Sequence, residues 1–153
     1  MKHGRVPVCI YVCPRCGGPT LFNSDGPMER APYGPAVGGL PDDVARLYEE
    51  ARRALGAGAP TASVLTCRTL LMHIAVDHGA AAGEPFVKYV DFLIDNGVVA
   101  KRSEPWLDHV RVAGNRATHR TEVVTGEDAE LLVDFVAFVL RTVYELPSRL
   151  PTK

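Results

Sequence analysis

The chain has 153 residues, with 17 basic and 18 acidic side chains and a formal net charge of −1. This balance excludes a strongly basic nucleic-acid binder of the histone type, although it allows a local basic patch. The length allows one domain with a small appendage. The longest apolar run near the N-terminus, residues 8–12, is too short for a signal peptide, and no run reaches the ~18–20 apolar residues of a membrane span. We therefore expect a cytoplasmic protein.

The first 24 residues are predicted to form a small β-hairpin with a cysteine knuckle. Residues 5–12 and 20–22 have the composition of two strands, and Cys13-Pro14-Arg15-Cys16-Gly17 lies between them. This turn is half of a zinc ribbon, because it directs two thiolates at one point and its glycine lets backbone amides face the sulfurs.

A complete structural zinc site needs four ligands, and the chain has no second CxxC. Cys13 and Cys16 are therefore two candidate ligands, which His3, Cys9 or a second subunit would complete. An extended strand separates Cys9 from Cys13 by ~13 Å, so Cys9 can join only if the strand bends sharply. The alternatives to zinc are a metal-free remnant of a ribbon and a redox dithiol. The fourth cysteine, Cys67, is expected to be a buried packing residue of an apolar helix.

Residues 25–40 are rich in Gly and Pro and are predicted to be a connector, whereas residues 41–150 have helical periodicity. The predicted fold class is all-α: a four- to five-helix bundle after the hairpin. The first helix begins at Pro41-Asp42, the second spans residues 61–78, the third lies between Pro85 and Gly97, and the fourth spans residues 106–119. The second is apolar nearly all round and is expected to be central.

The last predicted helix begins at Thr125, because Asp128 follows it with capping-box-like spacing. One face of this helix is apolar and consists of Leu132, Phe135, Val136, Val139, Val143 and Leu146. Leu131 and Phe138 form a second apolar stripe, which predicts that the helix is covered on two sides and that the protein associates with itself.

The fourth predicted helix has a polar stripe. At about 100° per residue, Arg111, Asn115 and His119 lie on one side. The opposite, packing side consists of Val110, Ala113, Gly114 and Ala117. Such a trio fits a phosphate: the arginine binds two oxygens, the amide orients the group, and the imidazole moves a proton. The alternative is a hydrogen-bonded helix end with no ligand.

Arg68 is a charged residue within the apolar second helix. We expect it to form a structural ion pair with a carboxylate from another helix. Contact with a ligand is the alternative.

The chain resembles the bacterial domain-of-unknown-function family 4145, which is usually placed among the HEPN all-α domains. The matching residues are Leu40-Pro41 and Tyr48-Glu49-Glu50-Ala51, Arg68, the Arg111-x-x-Gly114-Asn115-x-Ala117-x-His119 string, and Glu127-Asp128-Ala129, Tyr144 and Pro147. Family members often have an N-terminal cysteine knuckle. The resemblance implies a dimeric four- to five-helix bundle of a kind found in phage defence, toxin systems and restriction subunits.

HEPN ribonucleases use an Arg and a His of one helix, which face each other across a dimer. Their motif usually has four to six residues between the two, whereas seven separate Arg111 from His119 and two separate Arg116 from His119. Met72 also stands where a Glu is expected in the second helix.

The function expected from these features is a HEPN-like dimer that binds RNA or a nucleotide through Arg111, Asn115, Arg116 and His119. In this scheme His119 is the acid and base of a metal-independent RNA cleavage, and the arginines hold the phosphate. The alternative is a non-catalytic protein-interaction module with a structural zinc knuckle, in which the same residues organise the helix end and the dimer interface.

Overall fold

The structure, a computed structural model, describes residues 8–15, 17–28, 30–119 and 123–151. The chain divides into two compact units, Met1–Ala31 and Pro32–Lys153. Among the predicted site residues, His3, Cys16 and the side chain of His119 lie outside the described part.

The N-terminal unit contains an antiparallel sheet with the strand order β1-β2-β3: β1 is Cys9–Val12, β2 is Pro19–Asn23 and β3 is Gly26–Pro27. The register pairs Cys9 with Phe22. The hairpin of β1 and β2 confirms the two predicted strands over their described residues. The short β3 was not predicted; it follows a tight turn in which the Asp25 amide donates to Oδ1 of Asn23 at 2.9 Å.

The second unit is helical, as predicted. Its α-helices over residues 32–119 and 123–151 are α1 (Asp42–Gly56), α2 (Pro60–Asp77), α3 (Phe86–Asp95), α4 (Glu104–His119) and α5 (Gly126–Leu140). A 3₁₀ turn, Lys101–Ser103, precedes α4, and α5 continues through a π-helical stretch, Arg141–Glu145, into a final turn, Leu146–Ser148. No helix of the described residues is long and apolar enough to cross a membrane.

Helix α2 is the centre of the helical unit and packs against α1, α3, α4 and α5. Its apolar side chains are buried almost completely; among them are Val64, Cys67, Leu70, Leu71 and Ile74. This confirms the prediction of a central second helix and of a buried Cys67. An apolar surface on all sides is what a helix needs when four neighbours cover it.

Helix α5 begins as predicted, because Oγ1 of Thr125 accepts a hydrogen bond of 3.1 Å from the Asp128 amide. Four of the six residues of its predicted apolar face are buried: Leu132, Phe135, Val136 and Val139. Val143 is half-buried and Leu146 is exposed. The prediction for Leu146 was wrong, because the π-helical stretch before it widens the turn and rotates the following residues.

The second half of the Gly/Pro-rich stretch lies against α1, although it has no regular structure. Arg52 donates from Nε to the Tyr33 carbonyl at 2.8 Å and from Nη2 to the Gly34 carbonyl at 2.7 Å. The Tyr48 hydroxyl donates to the Pro35 carbonyl at 2.7 Å. Side chains of α1 thus satisfy backbone groups that would otherwise lack partners.

Candidate functional site

Helix α4 has a buried face and an open face. Val110 and Ala113 are buried against the core, and Gly114 is buried beside them. Asn115 is exposed, and the Arg111 side chain retains 37% of its exposure. The packing side of the helix is therefore where the sequence predicted it, and the described part of the polar stripe is open to solvent.

Arg111 is paired within its own helix. Its Nε and Nη2 lie 2.9 and 2.8 Å from Oδ1 of Asp108, one turn earlier. The carboxylate offsets part of the arginine charge and turns the side chain towards the start of α4. Because both partners are well exposed, this pair stabilises the fold by at most about 1 kcal/mol and can exchange for another anion.

Asn115 connects α4 to α2. Its Oδ1 accepts a hydrogen bond of 3.0 Å from Nη1 of Arg68. Since Oδ1 accepts from Arg68, the Nδ2 group of the exposed Asn115 remains as a donor, with no acceptor among the described residues.

The Arg68 guanidinium lies over an aromatic ring. Its guanidinium carbon is 4.5 Å from the centroid of Phe86, a buried residue at the start of α3. Burial lowers the pKa of the Arg68 guanidinium, which nevertheless stays protonated at neutral pH. Within the described ranges, no carboxylate lies at ion-pair distance from Arg68. The expected ion pair is therefore wrong for this part of the chain, where the partners are an amide and a ring.

Gly114 makes room for Arg68. A Cβ atom at Gly114 would lie 2.9 Å from Cδ and 3.0 Å from Nη1 of Arg68. Any larger residue at Gly114 would therefore require the Arg68 side chain to shift from this position. From the sequence, contact with a ligand is only the alternative for Arg68, and Phe86 is not identified as a site residue. The signal that could have found them is a glycine in a helix interior, directly before Asn115.

The structure does not add Arg116 to the contact between Arg68 and Asn115. Nη1 of Arg116 lies 3.7 Å from Oδ2 of Asp128, at the start of α5. The other oxygen of this carboxylate is 3.5 Å from Nε2 of His109. For His119 the structure gives only the backbone, as the last residue of α4.

The described residues around the cysteine turn form a tight, hydrogen-bonded connection between β1 and β2. Gly17 has a φ of +69°, its amide donates to the Cys13 carbonyl at 2.8 Å, and the Cys13 amide donates to the Gly18 carbonyl at 3.0 Å. Cys13 is half-buried, while Cys9 is exposed at the far end of β1. No group of three or more metal-ligating side chains is found among the described residues, which do not include Cys16.

A comparison with protein families finds a match for the helical part of the chain. The family described as "Domain of unknown function (DUF4145)" matches residues 49–153, which is more than half of the chain. No curated protein and no solved structure gives a significant match. The match spans most of α1 and all of α2 to α5, including Arg68, Arg111, Gly114 and Asn115, and it begins after the cysteine hairpin. The chain therefore belongs to the DUF4145 family.

Proposed function

We propose that the helical unit is a HEPN-like dimeric domain that binds RNA or a nucleotide at the open stripe of α4. The observation that supports this proposal is the exposure of Asn115 and Arg111 on a helix whose other face is buried. A stripe that only organised the helix packing would be covered by its neighbours. The resemblance to HEPN domains suggests a defence or toxin-type system as its setting.

The chemistry of the stripe fits a phosphate ligand. Arginine presents two parallel N–H groups to phosphate oxygens, and the Asn115 amide adds a further donor. In this proposal Arg111, Arg116 and Asn115 hold the phosphate, and His119 accepts or donates a proton during cleavage of the RNA backbone. Arginine groups aimed at the phosphate would stabilise the charge that develops on its oxygens, so the scheme needs no metal ion.

An exposed apolar surface supports the dimer part of the proposal. Leu131 and Phe138 of α5 keep 39% and 48% of their exposure, and Trp106 of α4 keeps 43%. Trp106 stacks on the buried Phe135 with ring centroids 5.7 Å apart and nearly parallel planes. Apolar side chains grouped on one surface of a small protein are typical of association sites.

A second candidate function is a non-catalytic interaction module with a structural zinc knuckle. The observation in its favour is that Arg111 and Asn115 already have protein partners, Asp108 and Arg68, as residues with a purely structural role would. In this alternative Cys13 and Cys16 would supply two zinc ligands, and the metal would only stabilise the hairpin. The stripe would then join α4 to α2 without a ligand.

Purified protein incubated with total RNA separates the two candidates. The proposed function expects binding or cleavage by the wild type, loss of cleavage with retained binding in His119→Ala, and weaker binding in Arg111→Ala. Melting temperatures of the same proteins are the control. If the wild type neither binds nor cleaves RNA and binds no nucleotide, while both variants melt several degrees lower, the interaction module is correct.

A further inference from the structure

We propose that Arg68 of α2 is the principal phosphate-binding residue of this site, and that the phosphoryl oxygens of the ligand lie against its guanidinium edge beside the Asn115 amide. This inference rests on the proposed function for the location of the site. It differs in naming α2, and not the α4 stripe, as the source of the main cation.

Arg68 differs from Arg111 and Arg116 because no carboxylate among the described residues balances its charge. Arg111 has the Asp108 carboxylate at 2.8 Å, and Arg116 has Asp128 at 3.7 Å. Arg68 has no carboxylate within ion-pair distance over residues 8–15, 17–28, 30–119 and 123–151. Its two observed partners, an amide oxygen and an aromatic ring, leave the positive charge unneutralised. A half-buried cation without a counter-ion lowers stability, and an anionic ligand would remove that cost.

Neighbouring residues hold the Arg68 guanidinium in position before a ligand binds. Phe86 supports one face of the guanidinium, Asn115 fixes Nη1, and the backbone at Gly114 lies against Cδ. Arginine has five N–H donors in one plane, of which one donates to an acceptor among the described residues. The remaining N–H groups of Arg68 and the Nδ2 group of Asn115 can donate hydrogen bonds but cannot accept them. This combination is complementary to phosphate oxygens, which only accept.

Gly114, which leaves space for Arg68, lowers the stability of α4. Glycine in a helix interior destabilises the helix relative to alanine, yet Gly114 lies in the interior of α4. A Cβ atom at Gly114 would come within 2.9 and 3.0 Å of Arg68 side-chain atoms, so alanine there would require the arginine to move. A helix that only packed against α2 would be more stable with alanine at this position and with an apolar residue in place of Arg68. Local features that lower stability in this way are typical of functional sites.

Three substitutions test the role of Arg68. Arg68→Ala removes the cation, Arg68→Lys retains the charge but loses the planar fork, and Gly114→Ala keeps every charge but displaces the arginine. Gly126→Ala is the matched control, because a Cβ there meets nothing within 4 Å and the residue is also helical. Binding of three probes is measured for each variant. Inorganic pyrophosphate is the first and is titrated by calorimetry; a labelled single-stranded RNA and AMP are the second and third.

We expect the wild type and Gly126→Ala to bind pyrophosphate equally. Affinity should fall at least about tenfold in Arg68→Ala and Gly114→Ala, and by a smaller factor in Arg68→Lys. If Arg68→Ala shows no cooperative melting transition and is therefore unfolded, the binding measured for Gly114→Ala and Arg68→Lys tests the role of Arg68. Binding in Gly114→Ala, and in Arg68→Ala where it folds, within about threefold of the wild type, or a wild type that binds none of the three probes, overturns the inference.

The three probes separate this inference from the proposed function. Pyrophosphate binding that depends on Arg68, without binding of RNA or AMP, would support the phosphate site and contradict the proposed function. RNA binding that is unaffected by Arg68→Ala and Gly114→Ala would support the proposed function and contradict the role of Arg68.

Discussion

Asn115 accepts a hydrogen bond of 3.0 Å from Nη1 of Arg68, and this bond joins α4 to α2 at the surface of the helical unit. An amide at this position has a specific consequence. It orients the guanidinium without neutralising it, whereas a carboxylate of the same shape would do both.

Asn115→Asp should therefore separate structure from function. The new carboxylate pairs with Arg68, so we expect the free energy of unfolding to stay within about 1 kcal/mol of the wild type. Binding of pyrophosphate or RNA should fall at least about tenfold, because the aspartate occupies the cation and repels phosphate. Urea unfolding and calorimetry on the same preparation measure both. Undiminished binding in Asn115→Asp would show that the ligand does not use Arg68.

Asp43 gives the helical unit a contribution to stability that depends on pH. The backbone amide of Val44 and then the side chain of His73 lower the pKa of the Asp43 carboxyl, with contact distances of 2.9 and 2.7 Å. A lowered folded-state pKa means that the contribution is complete above the unfolded value of about 3.9 and disappears as the pH falls through the folded value.

We expect Asp43→Asn to be less stable than the wild type near neutral pH, and the difference should shrink as the pH falls below the unfolded-state pKa of about 3.9. Urea unfolding measured across this range provides the test. Asp42→Asn is the matched control, because Asp42 precedes Asp43 in the first turn of α1. A stability difference between wild type and Asp43→Asn that is the same at all pH values would contradict this assignment.

Cys67 should be chemically inert in the folded protein. Its side chain is fully buried, and burial raises the pKa of its thiol to about 12. At about pH 8 almost no thiolate is then available to react. Iodoacetamide should modify Cys67 only in urea, whereas the exposed Cys9 should react without denaturant once a chelator is present. Rapid modification of Cys67 in the native state, located by mass spectrometry, would show that the core opens locally.

Periodicity predicted which residues of a helix share a face, and this sufficed for much of the fold. The all-round apolar character of α2 predicted its central position, and Thr125 with Asp128 predicted the start of α5. Both features are local in sequence. The exposed Leu146 differs because a π-helical stretch changes the number of residues per turn, and no sequence signal identified that stretch.

The candidate site was less predictable, since it depends on which residues face each other across two helices. The stripe on α4 was found because Arg111 and Asn115 are one turn apart. Arg68 is 47 residues before Asn115 in the chain, and the sequence alone favoured a carboxylate as its partner. Only the packing of α2 against α4 shows that the partner is an amide and that Gly114 provides the space.

Self-association should depend on the apolar surface of α5. We expect light scattering to give about twice the 16.6 kDa of the chain. Phe138→Glu should yield a monomer with little change in intrinsic stability, because Phe138 is half-exposed and surface substitutions usually change stability by less than about 0.5 kcal/mol. Val87→Glu, at a similarly exposed apolar position of α3, is the control and should remain dimeric. A wild type with the mass of a single chain would contradict the dimer.

We expect the cysteine turn at Cys13 and Cys16 to bind zinc. The spacing of Cys13 and Cys16 is that of a zinc-ligand pair, and the positive φ of Gly17 and the hydrogen bond from its amide to the Cys13 carbonyl show a tight turn at this place. Elemental measurement on protein purified without a metal-affinity tag should therefore find close to one zinc per chain. Cys13→Ser and Cys16→Ser should each lose the metal, because a hydroxyl is a poor replacement for a thiolate ligand.

The variants of the remaining candidates identify the other zinc ligands. Cys9→Ser and His3→Ala should retain zinc unless that residue completes the site, and zinc that is lost only from diluted, monomeric protein would indicate ligands from a second subunit. Because metal binding stabilises a small hairpin with little core of its own, chelator should increase proteolysis of residues 1–31 while the helical unit stays intact. Zinc at background level in the wild type, with proteolysis unchanged by chelator, would leave the turn as a metal-free remnant of a ribbon.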